Sequence, residues 1–117
     1  MRDHNKLKAF QIADELALLT YKLTRSFPKD EIFGLTSQMR RASVSVPSNI
    51  VEGCARESQI EYRRFLDMAF GSLRELHYQF GLSYRLGYIE DQMVEIYDKK
   101  FVEAEKILGA LVRTYYK

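Results

Sequence analysis

YRRFLDMAFGSLRELHYQF, residues 62–80, is the stretch that decides the fold class. Within it Tyr62, Leu66, Ala69, Leu73, Leu76 and Phe80 recur at intervals of four, three, four, three and four. That is a heptad seam, and such a seam demands partner helices at small crossing angles. Upstream, Ser58-Gln59-Ile60-Glu61 is a capping-box pattern. Downstream, Gly87 ends the periodicity. The spacing therefore predicts one long helix over 59–86, about 42 Å in length.

The same device recurs on both sides. Val94, Tyr97, Phe101, Ala104, Leu108, Leu111 and Tyr115 predict a helix over 91–116. Ile12, Leu16, Leu19, Leu23 and Phe27 mark one face of a helix over 5–27, which Pro28 ends by biasing Phe27 away from helical geometry. Residues 28–36 form a loop, with Thr36 as the expected N-cap of a helix over 37–55 whose apolar face is Met39, Ala42, Val46 and Ile50. No strand pattern interrupts the series. Four helices with short connections predict an all-α, antiparallel up-and-down four-helix bundle, a single domain over 1–117.

The segment RRASVSVPSNIVEGCAR, residues 40–56, carries Pro47 at its centre. Either one helix bends at the proline, or the chain breaks at Val46 and a new helix starts. Apolar spacing that continues across Pro47 favours one helix. Arg41, Ser45, Asn49, Glu52 and Arg56 form a polar stripe on it, and Ser72 and Glu75 lie on a matching stripe of the long helix. Two readings follow. The stripe is a solvated face with Glu52–Arg56 as an ordinary i,i+4 pair. Alternatively it is a partly buried structural network, in which Arg41 or Arg56 pairs with Glu75, and Asn49 with Ser72 and Glu52.

Composition narrows the function classes. Hydrophobic residues make up 46% and charged residues 29% of 117, as in a folded, soluble chain. No apolar run approaches a membrane span, and MRDHNKLKAF lacks the apolar region of a signal peptide. Cys54 is the one cysteine, which excludes an internal disulfide and fits the cytoplasm. His4 and His77 are the two histidines, and neither completes the Glu-x-x-His of a di-metal bundle site. Glu75 and His77 point about 200° apart on a helix. With no nucleophile–base motif and no Gly-rich phosphate loop, neither catalysis nor a cofactor is expected.

The net charge of +2 does not by itself mark a nucleic-acid binder. Basic residues nonetheless cluster. Lys22, Arg25 and Lys29 lie near one bundle end, Arg40 opens the second helix beside Arg41, and Arg63 and Arg64 open the third. Neighbouring helical residues point about 100° apart. Arg41 shares the polar stripe and is assigned to structure, which leaves Arg40 as the better phosphate contact, followed by Arg63 and Arg64.

Two ordered motifs carry a family resemblance. The first runs Leu35-Thr36-Ser37-Gln38-Met39-Arg40-Arg41-Ala42, then Ser45-Val46-Pro47-Ser48-Asn49-Ile50-Val51-Glu52-Gly53 and Arg56. The second is Phe65-Leu66-Asp67-Met68-Ala69-Phe70-Gly71-Ser72-Leu73-Arg74-Glu75-Leu76. Together they resemble the four-helix-bundle proteins of the 23S rRNA intervening-sequence family. The resemblance implies a barrel-like homopentamer in which the polar stripe is architectural. It also implies an RNA link, because some members are encoded within intervening sequences of ribosomal RNA genes. A related branch, the accessory variability determinant of diversity-generating retroelements, binds nucleic acid and a reverse transcriptase. The expectation is a non-catalytic oligomer that binds structured RNA or DNA, with a protein–protein scaffold, such as a reverse-transcriptase accessory subunit, as the rival.

Overall fold

In a computed structural model of the protein, which describes residues 2–116, the seam of 62–80 lies inside the molecule. All six seam residues are buried, none more than 2% exposed. Four helices account for most of the chain: α1 (Lys8–Thr24), α2 (Leu35–Cys54), α3 (Gln59–Arg85) and α4 (Asp91–Thr114). Short 3-10 turns occupy His4–Lys6 and Lys29–Glu31, and no strand occurs among the described residues. The helices form a ring in which α2 and α3 pack most extensively, α1 lies on α2 and α4, and α4 lies on α3 and α1. With connections this short each helix reverses on the last, and α3 sets the long dimension of 43 Å.

The ends of α3 follow expectation. Ser58 Oγ accepts from the Glu61 amide at 3.2 Å. Gly87 adopts φ +83°, in the left-handed region that suits glycine. The Gly87 amide donates to Tyr84 O and the Tyr88 amide to Ser83 O, both at 2.9 Å. This crossed pair satisfies carbonyls that the helix end would otherwise orphan.

Helix α2 is continuous through Pro47, which is itself buried. Pro47 has no N–H to offer the Ser43 carbonyl. Met39, Ala42, Val46 and Ile50 are each at most 4% exposed, so both halves are held by the same core. Its start departs from expectation. Thr36 is not the N-cap: Gly34 is, and the Leu35 amide donates to Glu31 Oε1 at 3.0 Å. A carboxylate from the preceding turn replaces the hydroxyl. That bond, together with one from the Tyr88 hydroxyl, holds the Glu31 carboxyl below its ordinary range.

Helix α1 is shorter than the expected 5–27. Asp3 caps a 3-10 turn by accepting from the Asn5 amide, Leu7 is extended, and α1 begins at Lys8. At the other end residues 25–27 form a turn, and Phe27 packs its ring 5.3 Å from that of Tyr88. The buried face is also rotated. Thr20 and Thr24 lie inside, with Leu19 and Leu23 half-buried at the edge. The threonine hydroxyls donate back to Leu16 O (2.7 Å) and Thr20 O (2.8 Å). With its hydroxyl satisfied, threonine can be buried at little cost.

Two further contacts hold the ring closed. Gly53 sits where α2 meets α3, and a Cβ there would lie 2.8 Å from Phe65 Cβ and 3.3 Å from Tyr62 Cδ1. On the α3–α4 side, His77 Nδ1 meets Glu105 Oε2 at 2.8 Å and Nε2 meets Asp98 Oδ1 at 2.7 Å. The imidazole stacks on Phe101, with ring centroids 4.8 Å apart. Both nitrogens can donate to carboxylates only in the imidazolium form. Burial lowers the His77 pKa, but the hydrogen bonds and charges of Asp98 and Glu105 outweigh it, and the net shift is upward.

Gly53→Ala is expected to destabilise the fold by ~1–3 kcal/mol through overpacking, despite the better helix propensity of alanine; denaturant unfolding measures it. A raised histidine pKa stabilises fully below the unfolded value, about 6.5, and the contribution is lost as pH rises through the folded value. Unfolding free energy should therefore fall as pH rises above about 6.5, and His77→Gln should flatten that fall. An unchanged pH profile in the variant would show that His77 does not titrate as the clasp requires.

Candidate nucleic-acid interface

The polar stripe of α2 runs along the seam with α3. Asn49 Nδ2 donates to Ser45 O at 2.8 Å and to Ser45 Oγ at 3.0 Å. Ser45 Oγ and Ser72 Oγ are 2.8 Å apart. Three half-buried side chains thus stitch the helices together, with Asn49 reaching Ser72 through Ser45. Glu52 pairs with Arg56 at 3.1 Å, an exposed i,i+4 bridge worth little by itself. The Arg56 guanidinium also lies over the Phe65 ring, at 4.9 Å.

The expected pairing of Glu75 with Arg41 or Arg56 is not made within the described chain. Glu75 and Arg41 are both exposed and flank a groove of ≈ 410 Å³ shared with Ser45, Ser72 and Phe33. The Asn49–Glu52 pairing is not made either, because Asn49 turns back to Ser45. The stripe is therefore hydrogen-bonded at its middle and open to solvent at both ends.

The two neighbouring arginines divide as their 100° offset requires, but in the opposite sense to the expected roles. Arg40 is half-buried against α1: Nε donates to Thr24 Oγ1 at 2.9 Å, and the guanidinium lies 4.8 Å from the Tyr21 ring centroid. Arg41 is the exposed one. The cause is the place of α2 in the ring, between α1 and α3, so that successive residues address different neighbours.

Arg25, Lys29 and Arg40 line one groove of ≈ 260 Å³ at the end of the bundle where α1 gives way to α2. Lys22 is exposed about one turn before Arg25. Arg63 and Arg64 are not part of this set. Met39 lies beside Ser83 (Oγ to Sδ 3.2 Å), so the level of Arg40 on α3 is near its C-terminal end. Arg63 is about twenty residues away, or roughly 30 Å along the helix. There the Arg63 guanidinium covers the Tyr116 ring at 4.5 Å, and Arg64 borders a shallow groove with Arg56 and Glu61. The candidate basic residues form two separate patches.

Elsewhere the chemistry is quiet. Among the described residues no three or more His, Cys, Asp and Glu side chains gather as a metal site. Burial pushes the Cys54 thiol up, away from the thiolate that a nucleophile needs. Among the described residues no helix is long and apolar enough to cross a membrane. Two surface features escaped the sequence reading: Phe33, 95% exposed in the α1–α2 loop, and an aromatic groove between α3 and α4. The spacing of Arg74, Tyr78, Gly81 and Arg85 is the signal that marks the second.

The chain resembles in fold a crystal structure of a protein with unknown function from the S23 ribosomal protein family of Bacteroides thetaiotaomicron VPI-5482. The TM-score is 0.78 at 22% identity, covering 89% of this chain and 97% of that one, a likeness that speaks to fold alone. No curated protein matches the chain. The sequence pattern described as 23S rRNA-intervening sequence protein matches residues 5–110. On that match, which spans nearly the whole bundle, the chain belongs to the 23S rRNA-intervening sequence protein family.

Proposed function

We propose that the protein is a non-catalytic, oligomeric nucleic-acid-binding protein of the cytoplasm, which holds structured RNA through phosphate contacts. The observation that carries this reading is the convergence of Arg25, Lys29 and Arg40 on one groove, with Lys22 beside it. Of the nearby acids, Glu31 is already committed to the Leu35 amide and the Tyr88 hydroxyl, while Asp30 stands exposed next to Lys29. Positive charge gathered this way engages phosphates by releasing counterions, and reads shape and charge, not base sequence. The family's description, which ties it to 23S rRNA, supports RNA over DNA.

Assembly completes the reading. Phe33 stands exposed next to the Arg41 end of the polar stripe, and Met68 and Val44 are exposed on α3 and α2. Gly71, exposed on α3, has nothing within 4 Å of an added Cβ, so no contact within the chain accounts for it. These features support close approach of another copy, in a homopentamer as the family resemblance implies. Five copies would repeat each basic groove around a ring. The same face would suit a protein partner, such as a reverse transcriptase, if the protein serves as a scaffold.

The test is a filter-binding titration of a structured RNA hairpin across salt concentrations. Arg25→Ala with Lys29→Ala should weaken binding at low salt and reduce the slope of log affinity against log salt by about 1–2 per chain engaged. Both side chains are exposed, so stability should change by less than ~1 kcal/mol. Arg40→Ala is the poorer probe, since it also removes the packing of Arg40 against Thr24 and Tyr21 of α1. Absence of RNA binding by the wild type at low salt would put the scaffold in front. A second expectation concerns Glu75. Glu75→Ala should leave the isolated chain's stability within ~1 kcal/mol. If assembly buries Glu75 against Arg41 of a neighbour, the same change should weaken association at least ~100-fold, by stranding that charge. Sedimentation over a concentration series separates the two.

A further inference from the structure

A mid-helix glycine is costly unless something needs the space it leaves. Gly81 lies inside α3, one turn before its C-terminal end, and an added Cβ would meet nothing within 4 Å. Close packing therefore does not explain it. At about 100° per residue, Tyr78 and Arg85 flank Gly81 on one side and His77 and Tyr84 on the other. The glycine is a gap in the middle of a face otherwise built of aromatic and basic side chains. The gap opens into a groove of ≈ 380 Å³ between α3 and α4, with Phe80 and Val94 among its apolar lining.

We infer that this groove is a second RNA contact, which receives an unpaired base over Gly81 and holds the adjoining phosphates with Arg74 and Arg85. Tyr78 is 62% exposed and Tyr84 38% exposed, large aromatic faces open to solvent, with the Arg85 guanidinium at the outer edge of contact with Tyr78, 6.0 Å from its ring centroid. The Tyr84 hydroxyl donates to Asp91 at 2.8 Å, which fixes the orientation of that ring. Aromatic faces of this kind stack bases of any sequence. Arg74 and Arg85 stand about 16 Å apart along the helix, one toward each end of the groove. Arg85 makes a long hydrogen bond, 3.4 Å, to Gly81 O and a loose cation–π contact, 6.0 Å, to the Tyr78 ring, and Arg74 shares Glu105 with His77.

The acids nearby do not oppose a phosphate as strongly as their number suggests. Asp98 and Glu105 both bond to His77, and Asp91 bonds to Tyr84. Asp98 also borders the groove, where its carboxylate can accept from an exocyclic amino group of a base. Charge complementarity at the ends and stacking surface between them fit a single strand. A duplex keeps its bases paired and presents phosphate and 2′-hydroxyl instead. The inference rests on the RNA-binding reading, but concerns a different surface and a different form of RNA.

The experiment is fluorescence anisotropy with a labelled ten-nucleotide single-stranded RNA and, separately, a blunt RNA hairpin closed by a compact tetraloop whose bases pair and stack within the loop. Gly81→Leu fills the gap and Tyr78→Ala removes one stacking face. Each is expected to weaken single-strand binding about tenfold, with hairpin affinity within about twofold of wild type. Tyr78→Phe should retain single-strand binding, because the ring and not the hydroxyl is used. Gly81→Leu should raise the thermal midpoint by a few degrees, since leucine is the better helix former and meets open space; this separates loss of binding from loss of fold. Single-strand binding unchanged by both substitutions, with hairpin binding intact, would overturn this inference alone. No binding of either RNA by the wild type would overturn it together with the function on which it rests.

Discussion

Burial of the α3 seam is the constraint on which the rest of the structure depends. Six apolar side chains on one 27-residue helix leave the solvent together or not at all. Removing them from water requires partners on two sides at a small angle, which α2 and α4 provide. Helix α1 then closes the ring by covering what those two leave open. Gly53 follows from the same constraint, because α2 approaches α3 so closely that a methyl group at this position would collide with Phe65.

What could be read from the sequence tracks the strength of local signals. The heptad seam, the Ser58 cap and the glycine at 87 are short-range devices written in adjacent residues, and each appears where its pattern places it. The face of α1 was less legible. Leucine outranks threonine in any hydrophobicity pattern, yet Thr20 and Thr24 are the residues buried, because a hydroxyl that bonds the preceding turn no longer needs water. Glu31 as the cap of α2 required a turn in the chain that propensity does not reveal. The roles of Arg40 and Arg41 depended on which neighbour lies on which side of α2, and that is a property of the assembled ring.

The basic residues show a similar division. Lys22, Arg25, Lys29 and Arg40 come together because the α1–α2 turn folds the chain back on itself. Arg63 and Arg64, close to the motifs in sequence, are carried to the opposite end by the antiparallel run of α3. A single ligand that touches both patches must extend along most of the bundle.

Glu31 is a joint between two loops. Its two carboxylate oxygens hold different partners, Oε1 the first amide of α2 and Oε2 the hydroxyl of Tyr88 in the α3–α4 loop. Phe27 packs against the ring of the same tyrosine. The two loops at this end of the molecule are thereby fastened together. Local opening of either one exposes the other, so amide protons in both should escape to solvent as one cooperative unit. The basic groove lies on the first of these loops and the aromatic groove begins just before the second. An event that grips one is mechanically joined, through a single carboxylate, to the frame of the other.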